Sequence, residues 1–141
     1  MPTISNDELA MLNTLERATG AKANDVYATN ECVTFIVQQG DLGKAIGKQS
    51  ANLEHLRKAF GKNVDLVEDA DTLRTFLGNV FRGVEFLSVE EKEDAANGRK
   101  TVLLKVSEAH RGKAIGRGGE KINRARALVK RRFGYDDVKI S

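Results

Sequence analysis

The 141-residue chain has one cysteine, one proline, no tryptophan and two histidines. Each scarcity excludes something. A lone cysteine, Cys32, allows neither a disulfide framework nor a cysteine-based metal site. It stands beside Val33, Phe35, Ile36 and Val37 and reads as a small buried hydrophobe. No Cys, His or carboxylate cluster around His55 or His110 has metal-ligand spacing, so no metal and no cofactor are expected. No nucleophile is paired with a base, so no catalytic residue and no small-molecule substrate are expected either. A single proline excludes a proline-rich linker. The longest apolar stretch is a few residues around Cys32–Val37, too short to span a membrane. The opening Met1-Pro2-Thr3-Ile4-Ser5-Asn6-Asp7 lacks the basic-then-apolar order of a signal peptide, and the expected location is cytoplasmic.

What is abundant is charge, 30% of residues, against 40% apolar residues: an ordinary globular balance. The net charge of +3 conceals an uneven distribution. Residues 1–70 hold 7 Lys/Arg and 10 Asp/Glu, a net of −3, and residues 71–141 hold 16 and 10, a net of +6. Between His110 and Arg132 there are nine basic residues and one acid, Glu120. A basic excess this local is an electrostatic footprint for a polyanion, although a charge run by itself more often marks a solvated helix face.

A repeat organises the chain. Gly43-Lys44-Ala45-Ile46-Gly47 recurs as Gly112-Lys113-Ala114-Ile115-Gly116, 69 residues later. That period is too long for a solenoid and reads as a duplicated domain. The flanks correspond. Two strand-like runs precede each pentamer, at 25–29 and 32–38 and again at 84–89 and 101–106. A helix precedes each pair. The first opens on Ser5-Asn6-Asp7-Glu8, a capping box with Ile4 and Leu9 as its staple, and its apolar stripe is Leu9, Leu12, Leu15 and Ala18. The second begins at about Asp71, with Leu73, Phe76, Leu77 and Val80 on one face. The pentamers fit the last turn of a short helix beginning near Asp41 and near Ser107–Glu108. A further helix follows each, striped by Leu53, Leu56 and Phe60 or by Ile122, Ala125, Leu128 and Val129, and a final strand at 64–67 or 138–140 closes each half. The six phenylalanines fall mainly on these apolar faces and read as core. The acidic run Glu90, Glu91, Glu93 and Asp94 reads as a solvated loop. The expected fold is α/β, more narrowly α+β, with each half running helix-strand-strand-helix-helix-strand and its helices packed on a small three-stranded sheet. The domains are residues 1–69 and 70–141. No Gly/Ser-rich linker separates them, which favours a fixed arrangement.

The chemistry lies in the turn after each pentamer. The second reads Ile115-Gly116-Arg117-Gly118-Gly119-Glu120-Lys121. Its glycines permit positive φ and close backbone approach. It delivers the chain into a helix whose first amides lack internal partners and attract phosphate. Lys113, Arg117, Lys121 and Arg124 supply mobile charge around it. Other phosphate motifs fit badly. Gly43–Gln49 is one residue short of a P-loop and lacks its hydroxyl, and Lys121 occupies the last glycine of a dinucleotide fingerprint.

Ile-Gly-x-x-Gly between two helices resembles the signature of the KH family, whose loop clamps about four nucleotides. Ile115-Gly116-Arg117-Gly118-Gly119 carries it intact. Ile46-Gly47-Lys48-Gln49-Ser50 departs from it, with serine at the second motif glycine. Ser50 is a good N-cap residue type, and Lys44, Lys48, Arg57 and Lys58 remain as phosphate contacts. The helix-first order resembles the type II KH fold. Two such modules filling a chain of this size, closing on Arg131-Arg132-Phe133-Gly134-Tyr135-Asp136-Asp137-Val138, resemble the archaeal NusA-type transcription factors. The resemblance implies a non-enzymatic protein that binds single-stranded RNA in transcription elongation, termination or antitermination. Ile46 and Ile115 would form the floor of an apolar groove beside each loop. Ribosomal and ribosome-assembly proteins share the module and give an alternative RNA role. A different class would be an adaptor whose basic helix docks on RNA polymerase.

Overall fold

The computed structural model describes residues 6–141. Ile4 and Ser5, on which the expected staple and capping box depend, lie outside the described residues. The chain divides into two compact units, the first ending at Asp71 and the second running Thr72–Ser141.

In the first unit, helix α1 (Asn6–Thr19) buries Leu15 and rests Met11, Leu12 and Ala18 on the core. Leu9 departs from the expected stripe: it is 50% exposed. Gly20, at φ 76°, ends the helix and donates its N–H to the Glu16 carbonyl at 2.8 Å, a left-handed cap that glycine adopts without strain. Strands β1 (Ala23–Ala28) and β2 (Cys32–Val37) are antiparallel, and β2 pairs in parallel with β3 (Asn63–Glu68). A parallel pair requires a crossover. Here α2 (Leu42–Ile46) and α3 (Ala51–Phe60) provide it. Val33, Phe35 and Val37 alternate along β2 and meet Val64 and Leu66 of β3, with Leu15, Ala45 and Leu56 from the helices completing the core. All six residues of β2 are buried, Cys32 among them. Truncating Leu56 would leave a cavity costing about 2–5 kcal/mol.

The second unit repeats this order. Helix α4 (Leu73–Val80) is capped by Thr72, whose Oγ1 accepts the Thr75 N–H at 3.3 Å, so the helix starts just after the expected Asp71. Phe76, Leu77 and Val80 are buried, and Phe76 meets Phe133 edge-on at 5.3 Å. Strands β4 (Phe86–Glu93) and β5 (Lys100–Val106) are antiparallel, and β6 (Asp137–Ile140) lies parallel to β5. Helices α5 (Arg111–Ile115) and α6 (Glu120–Phe133) cross between them. Even a local irregularity recurs. The antiparallel register slips between Ala23 and Asp25 opposite Val37 and Ile36, and again between Phe86 and Ser88 opposite Val106 and Lys105.

One expectation is corrected here. Glu90, Glu91 and Glu93 belong to β4 rather than to a loop. The hairpin carries them outward by pairing Glu91 with Val102, Lys92 with Thr101 and Glu93 with Lys100. Its tight end returns through Asp94 and Arg99, with Gly98 at φ 70°. Opposite charges across the ladder favour the pairing, and backbone hydrogen bonds do not require burial. The mixed α+β architecture, with two small three-stranded sheets and their helices, fits a KH-like fold.

Candidate nucleic-acid interface

The two loops share one backbone. Gly47 and Gly116 end α2 and α5 at φ/ψ of 77°/171° and 78°/174°. The third loop residue is left-handed in both, Gln49 at 55°/34° and Gly118 at 63°/19°. So is the fourth, Ser50 at 62°/21° and Gly119 at 80°/14°. Ala51 and Glu120 then enter the right-handed helix. The bonds match as well: Gly47 N–H donates to Gly43 O and Gly116 N–H to Gly112 O, each at 3.0 Å, while Ser50 N–H donates to Gly47 O and Gly119 N–H to Gly116 O, each at 3.2 Å.

Gln49 and Ser50 are the two non-glycine residues with positive φ among the described residues. A left-handed conformation costs a side-chain-bearing residue roughly 1–2 kcal/mol. The second loop meets all three positive-φ positions with glycine; the first pays at two of them. The capping role expected of Ser50 is corrected. It occupies the position before α3, but its side chain makes no cap hydrogen bond, because an N-cap uses extended backbone and Ser50 is left-handed.

The first glycine of each loop has no room for a side chain. A Cβ on Gly47 would lie 2.7 Å from Asn52 Cγ, and one on Gly116 would lie 2.9 Å from the Lys121 backbone nitrogen. Asn52 is held there by its Nδ2, which donates to the Lys44 carbonyl at 2.8 Å. Gly118, by contrast, faces open space, so its substitution meets backbone strain but no obstruction.

The expected site residues separate on inspection. Around the second loop, Lys113 and Arg117 are exposed and Lys121 is half-buried, its Cγ against Gly116. The Lys113 ammonium lies on Gly83, where a Cβ would meet it at 2.6 Å. Arg124 is corrected: it is 6% exposed, on the buried side of α6 with Ala125 and Leu128, and brings no mobile charge to the loop. Arg126 is tied down too, with Nε donating to Val138 O and pairing with Asp137, each at 3.0 Å. Arg111 is exposed at the start of α5 and was not singled out among the site residues; its signal was membership of the basic run. Ile115 is one of the large apolar side chains left open, at 36% exposure, beside the glycines.

Around the first loop, Lys44 and Lys48 are exposed, and Asn52 stands where the second loop has Lys121. Arg57 is bound to Glu54 and is less available than expected. Ile46 is partly buried and packs against the core. His55 is exposed on α3. Among the described residues no three His, Cys, Asp or Glu side chains gather as a metal site, and no helix is long and apolar enough to cross a membrane. The second loop thus brings together bare backbone, a helix N-terminus, two exposed cations and an apolar neighbour, a combination chemically suited to an anion.

The comparisons with known proteins follow the same line. No family model matches the chain. It is 34% identical over 139 residues to a probable transcription termination protein NusA from Halococcus morrhuae, which covers 99% of this chain and 98% of that one. It is 30% identical over 137 residues to the protein of the same name from Methanococcus vannielii, covering 97% of this chain and 78% of that one. Among solved structures, the crystal structure of APE1850 aligns with a TM-score of 0.87 at 36% identity, over 98% of this chain and 100% of that one.

Proposed function

The chain belongs to the archaeal NusA-type family of transcription termination proteins, and from that membership we propose that it is a non-enzymatic factor that binds single-stranded RNA through two tandem type II KH domains, residues 1–69 and 70–141. The observation that carries the reading is the loop Gly116–Gly119: three positive-φ glycines at the start of a 14-residue helix, with Lys113 and Arg117 exposed beside them. A sugar-phosphate backbone can lie against this peptide because no side chain projects from Gly118 into the space it faces. Helix amides and cations neutralise the phosphates, and Ile115 offers an apolar wall to the bases. Gly47–Ser50 is the weaker second contact. RNA polymerase is the complex on which such a factor would act.

The test is binding of a short single-stranded RNA oligonucleotide, measured by fluorescence anisotropy across a salt series. Each neutralised phosphate adds about −0.7 to the log-log slope for single strands, so three to five contacts give roughly −2 to −4. A salt-independent affinity, or a preference for double-stranded RNA, would overturn the reading.

A further inference from the structure

The two units share a second device, behind the loops. In the first, Gln38 N–H donates to Lys22 O at 2.8 Å and Lys22 N–H donates to Asp41 Oδ2 at 3.0 Å. The peptide of Lys22, just before β1, is thereby fastened on both sides to the segment that enters α2. In the second unit, Ser107 N–H donates to Glu85 O at 3.2 Å and Glu85 N–H donates to His110 Nδ1 at 2.9 Å. Ser107 and His110 stand 69 residues after Gln38 and Asp41, at the offset of the loop repeat itself. A carboxylate oxygen in one unit and an imidazole nitrogen in the other accept the same bond. The correspondence fixes the ring: turned over, His110 would set a carbon against the Glu85 amide.

We infer that His110 is a positioning residue for the second loop: its unprotonated Nδ1 holds the turn before β4 against α5, the short helix that ends at Gly116, as the Asp41 carboxylate does for the first loop. The inference rests on the reading of Gly116–Gly119 as an RNA contact, but the latch itself is independent of RNA. The two acceptors differ in one respect. A carboxyl oxygen has lone pairs in either protonation state, whereas an imidazole nitrogen accepts only while it carries no proton. A protonated Nδ1 presents N–H to N–H and the bond to Glu85 is lost. The charged side chains on the two segments joined are Arg82 and Glu85 on the turn and Glu108, Arg111 and Lys113 on the segment that contains His110. The second loop is therefore held by an acceptor that protonation abolishes and the first by one that it does not.

The experiment uses the full chain and three variants, His110→Ala, His110→Asn and Asp41→Ala, read by amide hydrogen-exchange protection and by affinity for the same RNA oligonucleotide. His110→Ala should speed exchange at Glu85 roughly tenfold and weaken RNA binding several-fold, the loss of about one hydrogen bond. His110→Asn restores an acceptor of the length that Asp41 uses and should recover both. Acidification from pH 7.5 to 5 should reduce protection at Glu85 in the parent, leave the Asn variant level, and leave Lys22 level in both. Asp41→Ala should expose Lys22 and spare Glu85. An Ala variant with parental protection at Glu85, or an Asn variant as pH-sensitive as the parent, would overturn the inference. If Glu85 behaves as stated and no variant changes RNA affinity, the latch stands and its positioning role for RNA falls.

Discussion

The loops at 47–50 and 116–119 have one backbone and two chemistries. Their dihedral angles and hydrogen bonds coincide although one is Gly-Lys-Gln-Ser and the other Gly-Arg-Gly-Gly. The shape therefore comes from what lies on either side: a short helix, a crossover and a longer helix that must return to a parallel strand. Only the first glycine is demanded by space, since Asn52 or Lys121 fills the place of a side chain there. The later glycines lower the cost of the shape and leave its surface bare. Side-chain chemistry has diverged further than geometry, with Lys121 against Asn52 and Ile115 more exposed than the partly buried Ile46.

The largest expected effect would break the comparison at the position where the loops are most alike. Gly116→Ala combines positive φ with a contact to backbone and should cost about 3 kcal/mol; Gly47→Ala meets the Asn52 side chain, whose displacement would break its bond to the Lys44 carbonyl, and should cost about 2–3 kcal/mol. Denaturant unfolding of the full chain reads both. Equal and negligible costs would mean that the loops are free to take another shape.

The next effect concerns binding and should separate the loops. Arg117→Asp with Gly118→Asp sets two negative charges in the second loop, and aspartate tolerates the left-handed region better than most residues. Loss of a charge-assisted contact is worth about 1.5–3 kcal/mol, so RNA affinity should fall at least about tenfold. Lys48→Asp with Gln49→Asp should lose less, because the first loop has Asn52 where the second has Lys121 and its Ile46 is less exposed than Ile115. Circular dichroism checks the fold of both. Equal losses would mean that both loops clamp RNA to the same degree.

Much of this asymmetry was legible in the sequence. The repeat set the order of six elements in each half, and the serine at position 50 marked the loop that departs from the glycine pattern. Each miss has its own physical cause. Hydrophobic pattern reports burial, and β4 runs outward beyond the core on ladder pairing with β5, so its glutamates looked like a loop. Arg124 carries a charge on the inner side of a helix, where residue type and position disagree. Ser50 is the usual residue type for a cap in a conformation that cannot cap, which a propensity cannot reveal. His110 was passed over because a lone histidine has no spacing to interpret; only its counterpart, Asp41, gives it a role.

The smallest effect sharpens the comparison most. If the fold imposes the loop shape, Gln49 and Ser50 are strained, and replacing each with glycine should relieve roughly 1–2 kcal/mol of left-handed penalty. Glycine also loosens the unfolded chain, which returns about 0.5–1 kcal/mol. The net gain should be about half a kcal/mol to 1 kcal/mol per site, visible as a rise in the denaturant midpoint with an unchanged slope. The reverse exchange, Gly118→Gln, should cost a similar amount, since nothing obstructs the side chain and only the dihedral angle is paid for. The same variants then divide shape from charge. A first loop rebuilt as Gly47-Lys48 followed by two glycines has the bare surface of the second but still lacks a lysine at 52. If its RNA affinity rises when Asn52→Lys is added and not before, charge limits the first loop. If the glycines alone raise it, Gln49 and Ser50 were blocking the approach of the sugar-phosphate backbone. A stability that falls when glycine is introduced at 49 and 50 would show that these residues are not strained, and the idea of a shape imposed by the flanking helices would fail with it.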